Sequence, residues 1–170
     1  MALPGLAVPL YPAGMRHCAL VTVLAILPAL GPAFADPVGD LATKWCAAVS
    51  ARDETAAVAL MSPDLQQAVA LARTANAAFQ TAHPGEKPPL GDGLRLTAFP
   101  DGIDTCTPAA QPDGTVRLTM QPAGSAEGAW FDEMIPVAGP SGARVVGDIR
   151  FSGEAGDSLS LWLKDAATAP

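Results

Sequence analysis

The chain is poor in the residues that most often do chemistry. Its 170 residues hold one Tyr, two His and three Cys, and charged residues make up only 16%. The Cys and His stand at no metal-ligand spacing, which excludes the common zinc and haem motifs. Cations are scarce as well: ten Lys and Arg against seventeen Asp and Glu leave a net charge of −7. Phosphate recognition needs clustered Lys and Arg, and these are dispersed, so nucleic acid is not expected as a partner. No glycine run sits between a strand and a helix as a phosphate loop requires; Gly91-Asp92-Gly93 reads as a turn. Glycine (16) and proline (17) are plentiful, yet an apolar content of 49% is not that of a disordered chain. No repeat at a fixed period appears.

What is present begins with an apolar run. Met15-Arg16-His17 precede the uncharged segment Cys18 to Leu30, and Ala33-Phe34-Ala35 follow it. A basic start, an apolar run and an A-x-A site are the three parts of a secretory signal. The run is too short to span a bilayer, which takes about 20 residues. The expectation is a removable export signal over 1–35, with Met1 and Met15 both open as the start. A single domain over 36–170 follows, periplasmic or extracellular, with no membrane span.

Removal of 1–35 takes one Arg and moves the net charge to −8. It leaves His83 as the only His, Cys46 and Cys106 as the only thiols, and no Tyr. Two thiols in an oxidising compartment are expected to pair. On a loop-entropy argument a bridge over that separation contributes about 4 kcal/mol. The alternative is two buried free thiols; a redox role is not expected without a Cys-x-x-Cys pair. Alanine dominates the apolar residues that remain, so the core is modest and the bridge matters more.

Helices come first. Asp36-Pro37 and Ser62-Pro63 each join a capping side chain to a proline at the first helical position, and Asp53 can cap a short helix between them. Leu41, Trp45, Ala48 and Val49 mark the face of the first helix; Leu65, Val69, Ala72, Asn76 and Phe79 mark that of the longest. His83-Pro84-Gly85 ends the latter, and the Pro- and Gly-rich stretch 85–93 is a loop. From Leu94 the period becomes two. Leu94–Ala98, Val116–Met120, Trp130–Val137 and Val145–Phe151 read as strands, with about five antiparallel strands in all. Val145, Ile149 and Phe151 are expected on one face, and Val146, Asp148 and Arg150 on the other. Leu159–Ala166 fits a strand or a short helix capped by Asp157, the helix being preferred. The class is α+β: N-terminal helices packed on a curved antiparallel sheet.

Several short stretches carry a resemblance. They are Trp45-Cys46-Ala47-Ala48 leading into Arg52-Asp53, Ser62-Pro63-Asp64-Leu65, Pro88-Pro89-Leu90-Gly91-Asp92-Gly93, Phe99-Pro100-Asp101 and Val146-Gly147-Asp148-Ile149. In these the chain resembles exported bacterial domains of unknown function within the nuclear-transport-factor-2-like superfamily. The resemblance implies a cone-shaped, cystatin-like fold in which a bent sheet wraps around a long helix, with a pocket between helices and sheet. It implies no activity. Enzymes of that superfamily usually set a His–Asp or Tyr–Asp pair in the pocket, and a chain without Tyr after residue 35 departs from that pattern.

The cleft candidates are Trp45, Asn76 and Phe79 from the helices and Asp148 and Arg150 from the late strand. Asn76 interrupts an apolar stripe, so its amide either holds a neighbouring backbone group or faces a polar cavity. Asp148 reads as a solvated carboxylate or a partner of Arg150. Asp132 and Glu133 are adjacent and point to opposite faces of a strand, so they form no carboxylate pair. His83 reads as a helix-end residue in favourable contact with the dipole, and Arg52 and Arg73 as surface charges that could also read an anion. No catalytic residue, metal ligand or cofactor is assigned. Two functions remain: an exported, non-catalytic domain binding a small molecule or a partner protein in a helix–sheet cleft, and a hydrolase or isomerase using water activated by Asp148 or Asp132.

Overall fold

A computed structural model describes residues 36–98, 102–122, 124, 128–152 and 157–169. The signal segment 1–35 and the motif Phe99-Pro100-Asp101 lie outside the described residues. Three capped helices open the fold. The Asp36 carboxylate accepts from Val38 N (3.1 Å) at the start of α1 (Pro37–Ser50). Asp53 accepts from Ala56 N (2.9 Å) ahead of α2 (Glu54–Ala59), and Ser62 Oγ from Leu65 N (3.3 Å) ahead of α3 (Pro63–Ala82). Each cap satisfies a donor that the first helical turn leaves over. The apolar stripes become the buried faces: Leu41, Ala42, Trp45, Cys46, Ala48 and Val49 on α1, and Leu65, Val69 and Ala72 on α3.

Four strands follow as an antiparallel meander in the order β1 (Ile103–Ala110), β2 (Val116–Pro122), β3 (Trp130–Ala138), β4 (Arg144–Arg150). The chain closes with α4 (Leu159–Thr168), which buries Leu159, Leu163 and Ala166. The final segment is therefore a helix, but its cap is Ser158, whose hydroxyl accepts from Leu161 N; Asp157 bonds Arg95 instead. α1 packs across β1, α3 lies along α4, and both α1 and α4 reach β4. The architecture is α+β. The sheet's helix-facing side supplies Val116, Leu118, Met120, Met134, Val146 and Ile149, all at most 2% exposed. Cys46 and Cys106 form a disulfide with Cα atoms 5.3 Å apart, tying α1 to β1.

Two expectations about strands are corrected. Residues 94–98 do not form a strand, so the described residues hold four strands and not about five. The alternation there is real, since Leu94, Leu96 and Ala98 are buried. However, two of the segment's N–H groups go to carboxylates, Leu94 N to Glu54 Oε1 (2.8 Å) and Ala98 N to Asp132 Oδ2 (2.9 Å). With those donors satisfied by side chains, no ladder partner is needed. Ile103–Ala110, by contrast, is a strand without a clean alternating pattern. It lies at the sheet edge, where Pro108 is tolerated.

The second correction concerns facing. Ile135 pairs with Asp148 but Pro136 with Val146, so Gly147 is an extra residue, a β-bulge. The bulge turns both Val146 and Ile149 inward and leaves Asp148 on the far side, against the expected sharing of a face by Val145, Ile149 and Phe151. A Cβ at Gly147 would lie 2.6 Å from Val137 Cγ1 and 3.1 Å from Ile135 O, which explains the glycine. The outer edge of β4 is covered: Val146 N donates to Leu60 O and Ser62 N to Val146 O (both 2.8 Å), and Phe151 N to Asp157 O (3.0 Å). No helix of the described residues is long and apolar enough to cross a membrane.

Candidate functional site

The larger cavity, about 840 Å³, lies under the loop 87–97, beside Val49, Arg52 and Trp162. Pro88 and Pro89 restrict the loop's backbone, and two side chains behind it fix its position. Asn76 Oδ1, on α3, accepts from Leu90 N (2.9 Å). Glu54, opening α2, accepts from Leu94 N through Oε1 and bonds Arg73 Nη2 (2.9 Å) through Oε2. Leu90, Leu94, Leu96 and Ile103, each 7–8% exposed, give the lining its apolar part. Arg52, Glu54, Lys87, Asp92 and Arg95 give it a charged part of comparable weight. A concave lining that joins apolar side chains to a few charged groups can take a small molecule with both kinds of surface.

A smaller cavity of about 450 Å³ opens on the outer face of the sheet, between Arg117, Phe131 and Glu133 on one side and Asp148 and Phe151 on the other. Its charges answer one another. Glu133 takes Arg150 Nη1 (2.7 Å) and Thr115 Oγ1 (3.0 Å), and Arg117 stacks over the half-exposed Phe131 ring at 4.7 Å. Asp148 accepts from Ser160 Oγ (2.6 Å), Ser160 N (3.0 Å) and Ile149 N (2.8 Å). Arg95 stands between the two cavities: it lines the larger, while its partners Asp157 (2.8 Å) and the Phe151 ring (4.3 Å) line the smaller.

Asp132 is the one buried carboxylate among the described residues, 1% exposed. It sits on the helix-facing side of β3, with Glu133 on the other face. Burial pushes its carboxyl above the usual range, and the two backbone donors, Ser152 N (3.0 Å) and Ala98 N (2.9 Å), pull the other way. A raised pKa suits a general acid. Here, though, both oxygens hold backbone N–H groups, so the carboxylate works as a clamp on two chain segments.

The five cleft candidates do not meet in one place. Trp45 is fully buried in the core face of α1, with no acceptor for its indole N–H among the described residues. Phe79 is half-buried and stacks on His83 at 4.5 Å. His83, the exposed cap of α3, lies 3.8 Å from Glu86 and away from both cavities. Asn76 is half-buried and stands one bond behind the loop wall, so of its two readings the backbone-holding one is seen. Asp148 and Arg150 share the smaller cavity on the opposite side of the sheet. Of the lining residues Arg52 was singled out in the sequence, as a charge that could meet an anion; periodicity did not point to Glu54, whose partners lie 19 and 40 residues away, nor to Lys87 or Trp162. No group of three or more His, Cys, Asp or Glu among the described residues could hold a metal ion. Comparison with protein-family models, curated proteins and solved structures finds no match.

Proposed function

We propose that this chain is an exported, non-catalytic binding domain whose site is the cleft under the 87–97 loop. The observation that carries the reading is the pinning of that loop by Asn76 and Glu54. A wall fixed before the ligand arrives avoids the ordering cost of binding. Export is supported by the signal-like segment 1–35 and by the Cys46–Cys106 disulfide. A nuclear-transport-factor-2-like assignment is supported by the run of helices before a meander and by the bulge at Gly147, which bends β4. Against the hydrolase or isomerase reading stand Asp132 and Asp148, both occupied as acceptors from backbone and serine donors.

The test is native mass spectrometry of the protein purified from its own host, followed by amide chemical-shift mapping with the retained compound. The expected result is an N-terminus at Asp36 and a small-molecule adduct that perturbs the amides of 87–97. An adduct perturbing only Arg117, Phe131 and Arg150 would move the site to the outer sheet face and overturn the proposal.

A further inference from the structure

The charges of the cleft lining divide into those committed within the protein and those that are not. Glu54 pairs with Arg73 and holds Leu94 N, and Arg95 pairs with Asp157. Arg52, whose guanidinium lies over Gly102, is likewise engaged within the chain. Lys87 and Asp92 remain. Both are exposed, and among the described residues neither side chain makes a hydrogen bond or an ion pair.

The loop brings these two to one lip of the cleft. Gly91 N donates to Pro88 O (2.8 Å), a turn that folds the chain back at Pro88-Pro89. Gly91 has φ +60°, in the left-handed region that glycine enters without a steric cost. The Lys87 stem crosses the space that a side chain there would fill: a Cβ at Gly91 would stand 3.2 Å from Lys87 Cε and 3.8 Å from its Nζ. The ammonium is thus carried back beside the residue that precedes Asp92, and the two charges stay unjoined. Asn76 and Glu54 hold the backbone on either side, at Leu90 and Leu94, so the stretch that carries Asp92 is placed before a ligand arrives.

We propose that the cleft takes a free α-amino acid with a large apolar side chain, its carboxylate on Lys87, its ammonium on Asp92 and its side chain against Leu90, Leu94, Leu96 and Trp162. The inference rests on the reading of this cleft as the binding site. Opposite charges on one lip that do not neutralise each other complement a ligand with the reverse pair on neighbouring atoms, and an α-amino acid carries both on one carbon. A simple anion would face Asp92 and a simple amine Lys87, each a like-charge contact that discriminates against it. The apolar part of the lining answers the side chain.

The test titrates the purified protein at about pH 6.5, where an α-amino group is charged. The ligands are L-phenylalanine, N-acetyl-L-phenylalanine, L-phenylalaninamide and glycine, read by isothermal titration and amide shift mapping. L-phenylalanine is expected to bind and to shift the amides of 87–97. The acetylated and amidated forms each lack one charge and should bind about fivefold more weakly, the worth of one solvent-exposed ion pair, with glycine weaker still. Lys87→Gln should weaken phenylalanine about fivefold without weakening phenylalaninamide. Asp92→Asn should weaken phenylalanine equally without weakening N-acetylphenylalanine. Glycine or either derivative binding as tightly as phenylalanine overturns the amino-acid assignment, as does a variant that weakens every ligand alike or none; shifts confined to 87–97 would then leave the cleft as a site. No shift at 87–97 with any of the four overturns the assignment too, and the compound retained from the host then decides the cleft on its own.

Discussion

Replacing Asp132 by Asn separates the two things its carboxylate does. The side chain keeps its shape and one carbonyl acceptor, but an NH2 group now faces one of the two backbone donors. Ala98 N is the buried contact and Ser152 N the partly buried one, so the carbonyl is expected to turn to Ala98 and leave Ser152 unanswered. An unpaired donor there costs about 1–3 kcal/mol. With a urea slope of roughly 2 kcal/mol/M for a domain of this size, the unfolding midpoint should fall by about 1 M. That figure holds at low pH, where the wild-type carboxyl is also neutral. Because burial raises the folded-state pKa above the ordinary aspartate value of 3.8, the folded state binds the proton more tightly than the unfolded chain. The corresponding stability is fully present below about 3.8 and is lost as pH rises through the folded pKa. The wild type's advantage over Asp132→Asn is therefore largest near pH 4 and shrinks toward neutrality. Urea denaturation of both proteins from pH 4 to pH 8 measures it, and taking the difference cancels the other carboxylates. An advantage that grows with pH, or does not change, would refute the clamp in its buried, proton-retaining form.

Other perturbations read other parts of the fold. Replacing Cys46 and Cys106 together by Ala should cost about 4 kcal/mol on loop entropy, lowering the urea midpoint, with an unchanged midpoint arguing that the bridge does not constrain the unfolded chain. Gly147→Ala pushes a methyl against Val137 and the Ile135 carbonyl; a loss of about 1–3 kcal/mol by thermal denaturation is expected, and a neutral result would mean that the bulge adjusts freely. Asn76→Ala orphans Leu90 N, costing about 1–3 kcal/mol and raising amide exchange in 87–97 more than in β2. Uniform exchange across the protein would show that Asn76 does not pin the loop.

The elements whose cause is local were legible in the sequence. The three N-caps, two of them followed by proline, the α1 and α3 stripes and the turn at Pro112-Asp113-Gly114 depend on residues within a few positions of one another, and each forms as read. The α4 helix and the disulfide were likewise within reach of spacing and compartment. The reading failed where a contact across the chain decides. Leu94–Ala98 has strand periodicity, but its N–H groups find carboxylates at residues 54 and 132. The facing of β4 turns on one glycine that slips the register. Of the candidate site, Asn76 was visible, because an amide in an apolar stripe needs a partner, and Arg52 was read as a surface charge that could also meet an anion. Lys87 carries no pattern that separates it from other surface charges.

The 94–98 segment shows why a cleft exists at all. Had it joined the sheet, its donors would have met a neighbouring strand and its side chains would have packed flat, leaving no hollow beneath. Two carboxylates instead hold it at its ends, Glu54 from a helix and Asp132 from a strand, so Leu94 and Leu96 cover the core while the chain arches over a cavity. The scarcity of acid–base groups then has a second meaning. Two acids near the cleft already serve as acceptors that shape it: Glu54 pairs with Arg73 and holds Leu94 N, and Asp132 is buried on two N–H groups. A carboxylate with both oxygens committed to the backbone cannot also move a proton for a substrate without releasing the wall that would bind it. For Glu54 and Asp132 the hydrogen bonds serve the shape of the wall.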